Sequence, residues 1–327
     1  MDWIKKGDVA LVLAPMEGVT DFPMRSLMTE RCGFKLCVAE FLRVNQTVIP
    51  DFVFYRHIPE LENGGRTLSG TPVMVQILGG DPDRMAETAI RAVELGAQGI
   101  DINFGCPAPT VNRHDGGAVL LKCPERLEKI VAAVRSRVAA TIPVSAKIRL
   151  GWENVDDVFP NAQAIANAGA SWLTIHARTR NQGYAPPVRW DLVGRVREML
   201  SIPVVANGDI NTFAGFQDCR RQTGCEHFML GRGALGDPAL VGAILSDLSQ
   251  NGSPAEEPFG HDRARWATLL RRFVEINQMA PKHPDRTTHR IKQWLNMASR
   301  IHPIRWFEDL KHARSNDEIW RILDVRE

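Results

Sequence analysis

Eight short β-branched or apolar runs, separated by amphipathic helical stretches, fill the first three quarters of this 327-residue chain. Strands that alternate with helices form parallel sheets, because each helix returns the chain to the same edge of the sheet before the next strand begins. Eight such units favour a closed (β/α)8 TIM barrel of about 250 residues. The predicted strands are residues 9–13, 36–38, 73–78, 99–103, 144–149, 172–176, 204–207 and 227–230.

A glycine between a helical stretch and the following strand supports the barrel. Gly96, Gly169 and Gly224 each stand at such a junction. Glycine readily adopts the left-handed conformation that ends many helices, so these positions indicate repeated helix-to-strand units. An open, doubly wound parallel sheet remains the alternative, although no G-x-G-x-x-G sequence follows the first strand.

The pattern changes near residue 249. Residues 249–260 are rich in Gly, Ser, Pro and Glu, a composition typical of a linker. Beyond them, apolar residues recur only at helical spacing, which predicts two helices with one buried face each. We therefore predict a barrel domain over residues 1–248, a linker over 249–260 and an all-α helical bundle over 261–327. The two apolar stripes are Trp266, Leu269, Leu270, Phe273 and Ile276, and Ile291, Trp294, Leu295, Ala298 and Ile301.

The charge of the chain is unevenly distributed. The net charge is +2, but residues 259–314 carry 12 Lys and Arg against 5 Asp and Glu, whereas residues 1–258 sum to -3. A basic helical region indicates that this end of the protein meets a polyanion.

Composition also bears on location and metal content. No apolar run reaches the roughly 18 residues that a membrane-spanning helix needs. The six cysteines are scattered, with no C-x-x-C pair and no metal-ligand spacing. We expect a cytoplasmic, monomeric protein with reduced thiols, no membrane association and no bound metal.

Two glycine turns predict a phosphate site. Barrels carry their reactive groups at the carboxyl ends of the strands, and the last two loops commonly bind phosphate through exposed backbone N–H groups. Asn207, Gly208 and Asp209 follow the seventh strand, and Gly231 and Arg232 follow the eighth. The alternative is that these glycines only make tight turns.

Four further side chains are expected at the same mouth. Gln76 and Lys147 lie at strand ends, and such a lysine either forms a Schiff base or neutralises charge on a cofactor. His176 is either a ligand or a core histidine. Cys106 lies in the loop after the fourth strand, ahead of a glycine-bearing stretch that we interpret as a lid. Without a C-x-x-C partner, Cys106 is a nucleophile or a proton donor.

Five motifs in sequence order resemble those of the tRNA-dihydrouridine synthase family. They are LAPMEGVTD at 13–21, NFGCP at 103–107, KIR at 147–149, HART at 176–179 with QGY at 182–184, and NGDI at 207–210. The RIKQWL segment at 290–295, together with EFLR at 40–43, resembles the bacterial synthase C subgroup of this family. That subgroup acts on uridine 16 of the tRNA D-loop.

The resemblance implies an FMN-dependent reduction of the C5–C6 double bond of uridine in tRNA, with NADPH as the reductant. It implies that Cys106 is the catalytic acid, a role that requires a neutral thiol. The implied FMN contacts are Pro15, Met16, Glu17, Gln76, Lys147, His176, Asn207, Gly208, Asp209, Gly231 and Arg232. The implied tRNA contacts are Arg43, Asn103, Tyr184, Arg290 and Lys292. Because Arg290 and Lys292 lie outside the second apolar stripe, we expect their side chains to point to solvent.

Two other functions remain open on the sequence. One is an FMN-dependent barrel oxidoreductase that acts on a small pyrimidine, and the other is a non-catalytic RNA-binding protein on an enzyme scaffold. The basic helical region argues against the first, and the intact Cys106, Lys147 and phosphate loops argue against the second.

Overall fold

The computed structural model describes residues 3–45, 47–249, 257–280 and 286–324. Within them a single parallel sheet has nine strands, eight of which close into a barrel. The strands are β1 (Ala10–Leu13), β2 (Leu36–Val38), β3 (Leu42–Arg43), β4 (Val73–Leu78), β5 (Ile100–Phe104), β6 (Val144–Arg149), β7 (Leu173–His176), β8 (Val204–Asn207) and β9 (His227–Leu230).

Two pairings close the barrel. The first strand β1 pairs with the last strand β9, with Ala10 beside His227, and β2 pairs with β4, with Cys37 beside Val73. An open doubly wound sheet has no such closure, so the barrel prediction is confirmed. All eight predicted strands are present to within one residue at each end. The two-residue strand β3, which pairs with the end of β4, was not predicted.

Helices surround the barrel and continue into a C-terminal helical region, which we define as residues 257–280 and 286–324. The helices around the barrel are α1 (Phe22–Cys32), α2 (Asp51–His57), α3 (Pro82–Glu94), α4 (Pro109–Asn112), α5 (Pro124–Arg137), α6 (Val158–Asn167), α7 (Trp190–Met199), α8 (Phe213–Thr223), α9 (Arg232–Gly236) and α10 (Ala239–Ser249). Those of the helical region are α11 (Arg263–Gln278), α12 (Thr287–Ser299), α13 (Phe307–Leu310) and α14 (Asn316–Leu323).

Local sequence accounts for the helix ends. The Asp81 side chain accepts a hydrogen bond from the backbone N–H of Arg84 and so caps α3, whose first residue is a proline. The three junction glycines have positive φ angles, +104° at Gly96, +85° at Gly169 and +60° at Gly224. A side chain would be strained in these conformations, which explains why glycine stands at each junction.

The barrel interior changes character along its length. Its lower layers hold apolar side chains such as Val12, Met74 and Val205. Toward the carboxyl ends of the strands the inward positions become polar and remain buried. These are Gln76, Asp101, Asn103, Ser145, Thr174 and His176. Packing alone does not require polar groups there, so this layer forms the floor of a functional site.

The helical region packs firmly on the barrel. Both predicted apolar stripes are buried, except that Ile301 lies beyond the end of α12 and is half-buried. Trp294 of α12 packs edge-on against Trp266 at 5.7 Å between ring centroids, and its indole N–H donates to the Leu235 carbonyl of α9 over 2.8 Å. Most of the predicted linker lies outside the described residues, and the three-part domain division stays a prediction. None of the described helices combines the length and apolar character needed to cross a bilayer.

A candidate active site at the carboxyl ends of the strands

A cavity of about 420 Å³ opens at the carboxyl ends of the barrel strands, a volume suited to a cofactor or small-molecule site. The structure brings fourteen of the predicted site residues together in its wall. They are Pro15, Met16, Glu17, Gln76, Asn103, Cys106, Lys147, His176, Tyr184, Asn207, Gly208, Asp209, Gly231 and Arg232.

Cys106 lies where the chain leaves β5, and its backbone is held firmly. Asn103 Oδ1 accepts hydrogen bonds from the backbone N–H groups of Gly105 and Cys106, each over 2.9 Å. The Cys106 carbonyl accepts from Asn112 Nδ2 over 3.2 Å and from the Ala118 N–H over 3.1 Å. These hydrogen bonds restrict the turn, on which Cys106 is half-buried.

The electrostatic surroundings of Cys106 favour the neutral thiol. Burial is the largest influence and raises the pKa of the Cys106 thiol, and the nearby Glu17 carboxylate raises it further. A hydrogen bond from the Ala108 backbone and the positive charges of Arg149 and Lys147 oppose this without cancelling it. A neutral thiol can donate a proton, whereas a nucleophile needs the thiolate.

Lys147 points into the cavity from β6 and is partly buried. Burial, followed by the positive charge of Arg149, lowers the pKa of its ammonium group to about 8, against the attraction of Asp101. Among the described residues, none forms a hydrogen bond or an ion pair with the Lys147 ammonium. An unpaired cation in a cavity is suited to a ligand that carries negative charge.

His176 lies at the end of β7 and is neutral. Burial lowers the pKa of its imidazole well below the ordinary value, and the cations Arg149, Lys147, Arg178 and Arg232 lower it further. Its Nδ1 atom is buried without a hydrogen-bond partner in the described part of the chain. The ring of Tyr184 approaches the imidazole edge-on, with the centroids 6.2 Å apart.

Asp209 links two arginines beside the cavity. Its carboxylate forms ion pairs with the buried Arg178 and with Arg232, the latter over 2.9 Å. Although burial raises the pKa of this carboxyl, the hydrogen bond and charge of Arg178, with the charge of Arg232, hold it below the ordinary value. The Asp209 carboxylate therefore orients the two arginines. The predicted contact of the turn at Asn207, Gly208 and Asp209 with a phosphate stays a prediction.

Tyr184 covers one side of the cavity. Tyr184 is 58% exposed, and its ring lies under the Arg232 guanidinium, 4.4 Å from the ring centroid, with Arg149 at 5.4 Å. Cations over an aromatic face hold the ring by electrostatic attraction. An exposed aromatic ring at a cavity mouth can stack on a base or another planar ligand.

The cavity fits a ligand that carries a phosphate group. Four cations surround the buried, unpartnered Nδ1 of His176, and one more buried donor, Arg178 Nη1, also lacks a partner among the described residues. A phosphate would satisfy this surplus of positive charge. Gly208, beside it, has a φ angle of +117°, which only glycine adopts without strain, so its backbone can approach a ligand closely. Among the described residues, no group of three or more His, Cys, Asp or Glu side chains could hold a metal ion.

Three predicted tRNA contacts lie outside the cavity wall. Arg43 donates to the Thr110 carbonyl over 3.3 Å, near the Cys106 turn. Arg290 and Lys292 were expected to point to solvent from α12, and this expectation is wrong. Arg290 is only 11% exposed because it binds the loop after β1, and Lys292 Nζ donates to the Ala313 carbonyl over 2.9 Å. Helical periodicity places both outside the apolar stripe, but it does not show what packs against that face.

The sequence did not identify several residues that form the site. Arg149 is 3% exposed and donates to the carbonyls of Gly105, Thr179 and Gly183, which ties the Cys106 turn to the Tyr184 loop. The KIR motif contains Arg149, but the motif does not show these partners. Met297 of α12 also lines the cavity, and no signal in the sequence could have placed it there.

Comparisons with known proteins agree with this geometry. Residues 12–319 match the family described as "Dihydrouridine synthase (Dus)". A tRNA-dihydrouridine(16) synthase of Neisseria meningitidis serogroup A is 41% identical over 98% of this chain and 96% of its own length. A protein of the same name from Vibrio parahaemolyticus is 53% identical over 90% of this chain and 88% of its own length.

Among solved structures, a histamine dehydrogenase from Rhizobium sp. 4-9 superposes with a TM-score of 0.56 at 15% identity. The alignment covers 82% of this chain, which spans about half of that protein, 49% of its length. At this identity the likeness shows only that the barrel fold is shared.

Proposed function

The chain belongs to the dihydrouridine synthase family of oxidoreductases, and from that premise we propose that it uses FMN to reduce uridine 16 in the D-loop of tRNA, with NADPH as the source of electrons. The observation that carries this proposal is the cavity in which a neutral Cys106 thiol faces an unpaired Lys147 and a cluster of cations around His176. Such a site combines a proton donor with a place for an anionic cofactor.

Each group of residues has a separate task in the proposal. Pro15, Met16 and Glu17 would border the isoalloxazine ring, and Gln76 and Lys147 would bind its pyrimidine edge. His176, Arg232 and the backbone of Asn207, Gly208, Asp209 and Gly231 would hold the phosphate. When bound, the flavin supplies a hydride to C6 of the uracil ring.

Cys106 completes the reaction by donating a proton to C5 of the same ring. Hydride at C6 and proton at C5 together convert the double bond to a single bond, and the thiol becomes a thiolate that must regain a proton. The raised pKa of Cys106 keeps the donor protonated at neutral pH, while Lys147 and Arg149 stabilise the thiolate that remains. Asn103 fixes the turn that carries the thiol.

The tRNA is expected to lie across the barrel mouth and the helical region. A uracil within a tRNA stack cannot reach the cavity, so the target base must be extruded into it. A second cleft of about 320 Å³ lies between α12 and the barrel, and its lining includes Arg56, Arg286, Arg290 and His289 beside the carboxylates Asp21 and Glu40. Its arginines, together with the basic helical region, are suited to the tRNA backbone. This arrangement also supports a cytoplasmic location, where tRNA is available.

The proposal is tested on the purified protein. We expect a yellow preparation whose cofactor, released by heat and separated by chromatography, is FMN. Incubation with NADPH and unmodified tRNA should convert uridine 16 to dihydrouridine, which digestion and mass spectrometry detect as a gain of two hydrogen atoms. A different flavin, or a tRNA of unchanged mass with free pyrimidines reduced instead, would contradict the proposal.

A further inference from the structure

A chain of hydrogen bonds runs from the barrel interior to the backbone of Cys106. The Ser145 hydroxyl donates to Asp101 Oδ1 over 2.6 Å, and Gln76 Nε2 donates to Asp101 Oδ2 over 2.7 Å. Asn103 Nδ2 then donates to Gln76 Oε1 over 2.9 Å. Finally, Asn103 Oδ1 accepts from the backbone N–H of Cys106 over 2.9 Å.

The direction of this chain is fixed from both ends. The two amides, Gln76 and Asn103, have donor and acceptor ends of nearly the same shape, so each could point either way. The backbone N–H groups of Gly105 and Cys106 only donate, so Asn103 turns its carbonyl toward them and its NH2 group toward Gln76. A carboxylate only accepts, so Asp101 supplies the acceptor that the NH2 group of Gln76 then needs. Without that buried acceptor, the two amides could satisfy their hydrogen bonds only by shifting.

Water cannot replace any partner in the lower part of the chain. Gln76 and Ser145 are fully buried, and Asp101 is 1% exposed. A buried donor without a partner is costly, so the chain holds its direction firmly. Burial raises the pKa of the Asp101 carboxyl, and the two donated hydrogen bonds and the charge of Lys147 oppose this only in part. The geometry is that of an acceptor, since each carboxyl oxygen accepts one hydrogen bond.

We propose that Asp101 is a positioning residue for Cys106, acting through Gln76 and Asn103 without touching substrate or cofactor. The proposal rests on the function proposed above, since it assumes that Cys106 delivers a proton. The same chain presents Gln76, a cavity residue, in one defined orientation. Asp101, whose carboxylate can only accept hydrogen bonds, therefore supports both the turn that carries Cys106 and the orientation of Gln76.

The test compares two substitutions of Asp101 in the flavin-loaded protein. The flavin is reduced with dithionite, and its reoxidation by excess unmodified tRNA is followed in a single turnover. Asp101→Val removes the acceptor, leaves the buried NH2 group of Gln76 without a partner and should slow reoxidation by about 10- to 100-fold, the usual cost of a small misplacement of a reacting group. Asp101→Asn retains an acceptor for Gln76, because its NH2 group can donate to the Ser145 hydroxyl, and should stay within about threefold of the natural protein.

A control and three readouts separate positioning from general damage. Thr88→Val changes a buried side chain of α3, outside the cavity wall, whose hydroxyl has no hydrogen-bond partner among the described residues, and should leave reoxidation unchanged. Flavin content, melting temperature and tRNA affinity of the Asp101 variants should stay close to those of the natural protein. If Asp101→Val fails to retain flavin, Asp101→Asn combined with Ser145→Ala replaces it. The introduced amide then has no hydroxyl partner that directs its oxygen toward Gln76, so this double variant should be about two- to fivefold slower than Asp101→Asn.

The proposal is overturned if Asp101→Val is reoxidised at the natural rate. It is also overturned if Asp101→Asn is as slow as Asp101→Val with full flavin content, because the charge of Asp101 would then matter rather than the acceptor it supplies. In the fallback experiment, a double variant that is reoxidised as fast as Asp101→Asn overturns it. Failure of the unsubstituted protein to be reoxidised by tRNA would instead contradict the proposed function.

Discussion

Arg290 of α12 forms an ion pair with Asp21 of the barrel, with Nη2 and Oδ1 separated by 2.9 Å. The same guanidinium donates to the carbonyls of Gly18 over 2.6 Å and Val19 over 2.8 Å. Through these contacts the helical region holds in place the loop that leads from the cavity residue Met16 into α1. Arg290 therefore connects the part of the protein proposed to hold tRNA with the wall of the cofactor cavity.

Reversal of the charge at Arg290 should destabilise the protein. Arg290→Glu would place a carboxylate against Asp21 and two carbonyl oxygens, at a cost of about 2 kcal/mol. For a chain of this length we expect a melting temperature about 3 °C lower, together with several-fold weaker FMN binding. Arg300→Glu, an equal charge change at an exposed position near the end of the same helix, is the control. A normal melting temperature and FMN affinity in Arg290→Glu would show that the loop does not depend on this contact.

FMN affinity should fall as the pH rises through about 8. The pKa of Lys147 is lowered to about 8, so its ammonium form, which attracts the electron-rich edge of the flavin, is lost above that pH. The affinity should be level below pH 8 and decrease by up to about tenfold per pH unit above it. Flavin titrations of the apoprotein between pH 7 and 9.5 measure this. Lys147→Met should bind more weakly throughout and show no such decrease, and an identical pH profile in this variant would rule out Lys147 as the source.

Arg232→Ala should weaken FMN binding by about 1.5–3 kcal/mol, the usual contribution of a charge-assisted hydrogen bond to phosphate. The change also frees the Asp209 carboxylate, which would then repel the phosphate more strongly. Isothermal titration of the apoprotein gives the affinity. Arg220→Ala breaks a comparable arginine–aspartate pair at the opposite end of the barrel and should have no effect. Equal FMN affinities in the two variants would mean that the phosphate lies elsewhere.

The pH dependence of Cys106 alkylation should show that its thiol is protonated at neutral pH, as a proton donor requires. Iodoacetamide reacts with the thiolate, so the midpoint of the rate against pH reports the pKa of the thiol. Because burial raises the pKa of Cys106, we expect a midpoint above that of free cysteine. Peptide mapping by mass spectrometry resolves Cys106 from the other five cysteines, and Cys106→Ala removes its peptide signal. A midpoint below that of free cysteine would favour a nucleophile instead.

The parts of the fold that sequence could predict are those that local patterns specify. Alternating apolar runs predicted all eight barrel strands, and the junction glycines appear with positive φ angles. The strand β3 escaped prediction because two residues are too few to show an alternating pattern, and only its pairing with β4 defines it. Local periodicity carries no information about such tertiary partners.

The same limit explains the errors at the site. The side chains that border the cavity were predicted because they follow strands, whose carboxyl ends meet at one edge. Three sets of contacts at the site join residues that are distant in sequence. They are the ion pairs of Asp209 with two arginines, the contacts of Arg290 with the first barrel loop, and the hydrogen bonds of Gln76 with Asp101 and Asn103. None of these contacts has a local pattern that would reveal it.

The most direct test of the account is the reoxidation of the reduced, flavin-loaded protein by tRNA, with and without Cys106. The unsubstituted protein should be reoxidised in a single turnover and yield tRNA with dihydrouridine at position 16. Cys106→Ala should retain flavin and tRNA affinity but be reoxidised about 10²–10⁴ times more slowly, the usual contribution of a general acid. Equal rates in the two proteins would show that Cys106 does not supply the proton, and an unsubstituted protein that tRNA does not reoxidise would contradict the proposed reaction itself.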